Sequence, residues 1–318
     1  MEQTSIQKRN YVNFLEEPLE GQEITLVIKE GNKSVESLRK REKVTTSIST
    51  VITYILITFL ALIMILPFYW MIITSLKTNT EIQAIEQTFF PSVVMWSNYV
   101  YVFQVFKFST YMWNTIVVAI FSTLGTLITT IFAAFAFSRL NFKGREQLFA
   151  IFLMTMMIPG EMMVITNFIT VSKLKGMNTY WAMIVPFLIS VYYIYLLRQN
   201  FRQIPNELYY AAKVDGTSNF KYLMKIMIPI AMPTLITITI LKLMGSWNAY
   251  VWPMMVTNKP EMRLITTGLR TGFSDSEGRS VQGRQMAAAF AVTAPLLIMF
   301  ICLRKYIMRG VSRSGIKG

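Results

Sequence analysis

Six long blocks of apolar residues set the terms on which this chain can fold. They run approximately over Thr46–Thr74, Tyr111–Phe137, Gln147–Ser172, Thr179–Leu197, Ile230–Val256 and Gln285–Ile307, each dense in Leu, Ile, Met, Phe and Val. A helix needs about 20 apolar residues to cross about 30 Å of hydrocarbon, and each block is of that order. Because a bilayer offers no water to backbone polar groups, only helices and closed barrels span it, and a barrel would show many short alternating strands. The pattern therefore predicts an all-α polytopic membrane protein with six transmembrane helices. Hydrophobic residues make up 53% of the chain and charged ones 15%, which excludes an ordinary soluble domain.

The first block follows more than forty mostly polar residues, so no cleavable signal peptide is expected. A net charge of +14 could point to nucleic acid, and the placement of the cations decides. With the N-terminus inside, 21 of the 31 Lys and Arg fall in or beside the cytoplasmic pieces, 9 in the outer loops, and Lys242 within a span. That asymmetry follows the positive-inside rule and needs anionic membrane lipid, not nucleic acid, as its partner. Both termini are expected in the cytoplasm. Residues 1–45 read as a cytoplasmic extension with a short strand over Glu23–Glu30, and residues 46–318 as one six-span domain. The chain has no histidine, and its single cysteine, Cys302, lies in the last block. This excludes an intrachain disulfide, histidine acid–base catalysis and the usual Cys/His metal sites.

Several interruptions stand out within the spans. "MMIPGEMM" places Pro159, Gly160 and Glu161 together, which predicts a broken or kinked helix. Glu161 is the one acid well inside a span. It is either a functional residue facing a cavity or a partner, or a structural acid hydrogen-bonded near the kink or close to the outer surface. "VYYIYLL" supplies Tyr192 and Tyr193, packing residues or surfaces on which a sugar ring can stack. "GSWNAYVWP" brings Trp247, Asn248 and Tyr250 into an apolar helix, where they serve a neutral-solute pathway or an outer aromatic belt. At the end of the second span, Ala133, Ala134 and Ala136 permit close helix approach, and Arg139, Lys143 and Arg145 are expected to anchor the helix at the cytoplasmic surface.

The polar segment 205–227 is the most informative. Pro205 and Asn206 are helix-start signals, Glu207 suits the first turn, and Gly216 can stop the helix. Thr217 or Ser218 can cap a second helix, in which Phe220, Leu223, Met224 and Met227 share a face. Ala211 and Ala212 give the first helix a small-residue patch that is a poor lipid anchor and suits a groove on another protein.

"ELYYAAKVDGTSNFKYLMKIMIPIAMP", Glu207–Pro233, resembles the cytoplasmic loop of binding-protein-dependent ABC importer permeases, and within them the second membrane subunit of maltose-transporter-type sugar permeases. The likeness extends from about Tyr54 onward through "NTIVVAI", "AFAFSRLNFKGRE", "NTYWAMIVPF", "WNAYVWPMMV" and the terminal "SGIKG". It implies a coupling helix that docks on a cytoplasmic ATPase through Glu207, Tyr210, Ala211, Ala212, Asp215 and Gly216, with Gly315 and Lys317 of the tail reaching the same interface. Tyr210 stands where the family's glutamate precedes the two alanines. Glu207, three residues earlier and on nearly the same face, is expected to supply the carboxylate.

The resemblance further implies a bacterial cytoplasmic-membrane permease for a carbohydrate, an oligosaccharide or related polyol. Its partners would be a second homologous permease, an ATPase homodimer or heterodimer that binds ATP and Mg, and an extracellular solute-binding protein. No G-x-x-x-x-G-K-[ST] phosphate loop occurs in the chain, which needs no catalytic residue or cofactor of its own. The alternative is a secondary transporter or channel independent of an ATPase, which should show coupling carboxylates or inverted repeats. A polytopic enzyme would need clustered acids or a nucleophile and base, and Asp275 and Glu277 are too isolated for that.

Overall fold

The computed structural model describes residues 49–104, 106–271, 273 and 281–312, with residues 271 and 303–312 described by backbone alone. The extension 1–45 with its expected strand, and Gly315 and Lys317, lie outside the described residues. Among the described residues all regular structure is helical. The chain divides into two compact units, Met1–Tyr69 and Trp70–Gly318.

The described part of the first unit belongs to α1, Ser49–Ser75. Its side chains from Ser49 to Phe68 are all exposed, and most are Ile, Leu, Phe, Met or Val. A helix apolar on every side is at home in lipid or against another membrane chain.

The second unit contains α2 (Asn79–Gln83), α3 (Ser97–Gln104), α4 (Phe108–Arg139), α5 (Arg145–Thr155), α6 (Met163–Lys173), α7 (Tyr180–Ile184) and α8 (Val191–Gln203). It continues with α9 (Asn206–Val214), α10 (Asn219–Tyr222), α11 (Ile228–Ile230), α12 (Met232–Trp247), α13 (Val251–Val256), α14 (Ile265–Thr271) and α15 (Gln282–Ser312). Among the described residues three helices are long and apolar enough to cross a membrane unbroken: α1, α4 and α15 up to Cys302. The other three expected spans are bent pairs, at 77° between α5 and the Gly160–Lys173 segment, 46° between Tyr180–Phe187 and α8, and 80° between Asn219–Ile230 and α12. Prolines account for much of this. Pro159 closes the first break, Pro186 lies in the 3-10 turn Val185–Phe187 before the second, and Pro229 and Pro233 flank the third.

Helix α4 is the central post, packed against α8 and α12. Its inner face carries Thr115, Ala119, Ser122, Thr126, Thr130 and Ala134, all buried. Small residues at i, i+3 and i+4 let neighbouring backbones approach closely. They also repair a break, because Thr126 Oγ1 donates to the Phe187 carbonyl at 3.2 Å and Thr129 Oγ1 to that of Leu188 at 2.7 Å. These are carbonyls that the bend between α7 and α8 leaves without helical donors.

Two expectations change. The fifth apolar block is not one helix, since α12 ends at Trp247 and residues 248–250 turn into α13. Arg139 does not reach out to headgroups: it is buried, and its Nη2 donates to the carbonyls of Phe201 at 2.8 Å and Ile204 at 2.5 Å while Nη1 holds Asn206 Oδ1. The end of α8 has orphan carbonyls and Pro205 brings no N–H, so the planar guanidinium serves as its cap.

Candidate functional site

Helix α9 begins at Asn206 and ends in a glycine cap. The N–H of Gly216 donates to Lys213 O at 3.0 Å and that of Thr217 to Ala212 O at 2.8 Å, with Gly216 at φ +68°. This double bond pattern needs a left-handed residue, which glycine adopts without a Cβ penalty. Ser218 then caps α10, accepting from the Lys221 N–H at 3.3 Å, and Tyr209 OH bonds Asn219 Oδ1 at 3.0 Å across the turn. The helix–glycine–helix layout is thus held at both its hinge and its flanks.

The faces of this unit are split. Tyr210 is 62% exposed and Val214 88%, and with Glu207 and Ala211 they form one outward stripe at i, i+3, i+4 and i+7. Asp215 and Gly216 are exposed at its end. On the opposite side Ala212 is buried with Leu197, Phe201, Tyr222, Leu223, Met227 and Leu235. The expected two-alanine patch is therefore divided, since neighbouring helical residues point about 100° apart: Ala211 faces out, and Ala212 joins the chain's own core. Ala212 and Tyr209 pack in the cluster that α8, α12 and the end of α4 share.

The second helix also departs from its expected face. Leu223 and Met227 are buried, but Phe220 and Met224 are exposed, and Tyr222 is buried in their place. A π-helical turn over Leu223–Met227 lowers the rotation per residue and shifts the apolar stripe.

A cavity of about 560 Å³ lies between α4, the α7–α8 break and the α12–α13 turn. That volume suits a small ligand. Tyr193 and Tyr250 line it, together with Val118, Ser122, Phe187, Ser190, Lys242, Ser246 and Trp252. Tyr192, Trp247 and Asn248 do not line it; Trp247 is buried, while Tyr192 and Asn248 are exposed. Glu161 is exposed on the 3-10 turn Gly160–Met162, away from the cavity. The structure thus brings together two of the six candidate pathway residues and adds Lys242, the one cation in the fifth apolar block, which carried no role in the sequence reading. Lys242 Nζ donates to the Phe187 carbonyl at 3.0 Å. Trp252 frames the wall, with its Nε1 donating to Ala182 O at 2.9 Å and its ring edge-on to Phe187 at 5.4 Å.

Residues 125–313 match the family described as binding-protein-dependent transport system inner membrane component. The chain is 31% identical to a trehalose/maltose transport system permease protein of Thermococcus litoralis, covering 87% of this chain and 99% of the relative. It is 29% identical to an arabinooligosaccharides transport system permease protein of Halalkalibacterium halodurans, over 82% of this chain and 94% of that one. Among solved structures, a chain of a bacterial ABC transporter involved in the import of the acidic polysaccharide alginate shares the fold, with a TM-score of 0.74 and 24% identity over 81% of this chain and 96% of that one. Unbroken apolar helices, an outward-facing α9 stripe and a family match across more than half its length place this chain among the inner-membrane permease components of binding-protein-dependent transport systems, which are transport subunits and not enzymes.

Proposed function

We propose that this chain is a membrane-spanning subunit of an ATP-driven carbohydrate importer, forming half of the translocation pathway for an oligosaccharide. The relatives named for arabinooligosaccharides and for trehalose and maltose support the substrate class. The observation that carries the mechanism is α9, exposed along Glu207, Tyr210, Ala211 and Val214 and rooted through Ala212 in the core of the spans.

In this reading α9 docks in a cleft of a cytoplasmic ATPase, which binds ATP and Mg. Glu207 offers the charge that Tyr210 lacks at the family's acidic position, and Asp215 and Gly216 shape the end of the docking face. Gly315 and Lys317 of the tail join the same contact. Closure of the ATPase dimer moves α9, and with it α8 and α12, between states that open the pathway to either side. A homologous permease completes the pathway and an extracellular solute-binding protein delivers the sugar. The domain is residues 46–318 with six crossings, each bent pair counting as one, and both termini lie in the cytoplasm of a bacterial cell.

Co-expression with the partner permease, ATPase and binding protein tests this. The expected result is a complex whose ATP hydrolysis rises when a sugar-loaded binding protein is added, with Glu207→Gln reducing ATPase retention. Solute transport by the purified chain alone would remove the reading.

A further inference from the structure

The cavity contains a cation that the fold does not need. From Met232 to Lys242, helix α12 rises about 15 Å at 1.5 Å per residue, about half the hydrocarbon thickness. A lysine at such depth is costly and is kept where it meets a partner or a wet cavity. Among the described residues, Lys242 lines the cavity and no acidic residue does, and none of the three ion pairs there includes it. Its one described bond goes to the Phe187 carbonyl. Thr126 Oγ1 already donates to that carbonyl at 3.2 Å, so repair of the broken span does not require an ammonium group.

Other groups in the wall share this bias. Tyr250 also lines the cavity, and its hydroxyl is buried with no hydrogen-bond partner. The Arg270 guanidinium lies 5.3 Å from the Tyr250 ring centre, adding positive charge behind the phenol. Ser122, Ser190 and Ser246 contribute further hydroxyls. A cation beside serine hydroxyls, with no carboxylate among the described lining residues, makes a site for an anion, because a carboxylate or phosphate pairs with the ammonium group and accepts from hydroxyls.

We infer that the cavity selects carbohydrates bearing an anionic group, with Lys242 pairing with that group. This rests on the carbohydrate-permease reading and narrows its substrate class.

The test uses the assembled complex, without binding protein, in phosphatidylcholine vesicles, with radiolabelled digalacturonate and galactobiose as matched acidic and neutral disaccharides in equilibrium dialysis. Wild type is expected to bind the acid at least tenfold more tightly than the neutral sugar. Lys242→Met should abolish that preference and Lys242→Arg should keep most of it. Equal binding of the two sugars, no binding of the acid, or a preference that survives Lys242→Met would overturn the inference. So would a preference that vanishes when phosphatidylglycerol is added, since the cation would then serve a lipid headgroup. Recovery of the complex with its ATPases is scored separately: if it assembles and the preference is absent, the permease reading stands and this inference alone fails.

Discussion

The Arg139 guanidinium at the last turn of α4 is bonded to the Phe201 carbonyl at the last turn of α8, 2.8 Å from Nη2, and the same group holds Ile204 and Asn206 at the root of α9. One side chain thus joins the central post to the entry of the outward helix. Arg139→Met would strand buried carbonyls, at about 1–3 kcal/mol. Arg139→Lys restores charge but not the planar fork. The expected outcome is a lower melting temperature for both variants, larger for Met, with ATP hydrolysis of the assembled complex losing its dependence on sugar. Unchanged melting in Arg139→Met would contradict the capping role.

Gly216 separates folding from docking. A Cβ there meets nothing within 4 Å, so substitution carries backbone strain without a clash inside the chain. For an L-residue that strain is about 1–2 kcal/mol. Gly216→Ala should therefore insert, fold and bind the ATPase nearly as wild type does, whereas Gly216→Trp should insert but lose ATPase on purification, since its indole projects from the exposed end of α9. Equal ATPase recovery for the two variants would argue that this end of the helix touches no partner.

The contrast between Gly216 and Phe220 explains what sequence could convey. The α9–α10 layout depends on local chemistry, a left-handed glycine followed by Ser218 accepting from Lys221 N–H, and such signals are written within a few residues. The face presented by Phe220 and Met224 depends on the π turn at Leu223–Met227, which has no comparable local signature. Pro159 announced its break, but the end of α12 at Trp247 has no proline or glycine at the turn itself. In the pathway, the tyrosines at 192 and 193 were indistinguishable until the bend at the start of α8 turned Tyr193 into the cavity and left Tyr192 exposed. In the sequence Lys242 is only a cation within a span, and its importance comes with a cavity wall that carries no acid among the described residues.

Outside the spans, Glu81 ties a loop together. Its Oε1 accepts from Thr88 Oγ1 at 2.8 Å, the Ser92 N–H at 3.0 Å and Ser92 Oγ at 3.2 Å. The Thr88 hydroxyl, then the Ser92 groups and the Lys77 charge, hold its carboxyl below the usual carboxylate range despite some opposing desolvation. A depressed folded value means that the loop's extra stability is present above the unfolded pKa and is lost as pH falls through the folded one. Hydrogen exchange of the 88–92 segment should therefore be slower in wild type than in Glu81→Gln at pH 7, with the two converging below the normal carboxylate range. A difference that persists at low pH would exclude the ionised carboxylate as its cause.

Two glycines make an internal control for packing. A Cβ on Gly268 in α14 would lie 2.5 Å from Tyr111 Cδ2, 2.8 Å from Cε2 and 3.2 Å from Phe106 Cζ. Those rings are stacked edge-on to one another at 5.4 Å and sit in a buried cluster with Val102, Phe108 and Ile265, so neither can yield cheaply. Overpacking of this kind costs about 1–3 kcal/mol. Gly245, on the cavity wall, has nothing within 4 Å of the same added atom. Gly268→Ala should lower the melting temperature of the purified complex by several degrees, and Gly245→Ala should leave it unmoved or raise it slightly, because the methyl enters open space and suits a helix interior better than glycine. If Gly245→Ala instead destabilises as much as Gly268→Ala, the space beside α12 is closed and the cavity assignment fails with it.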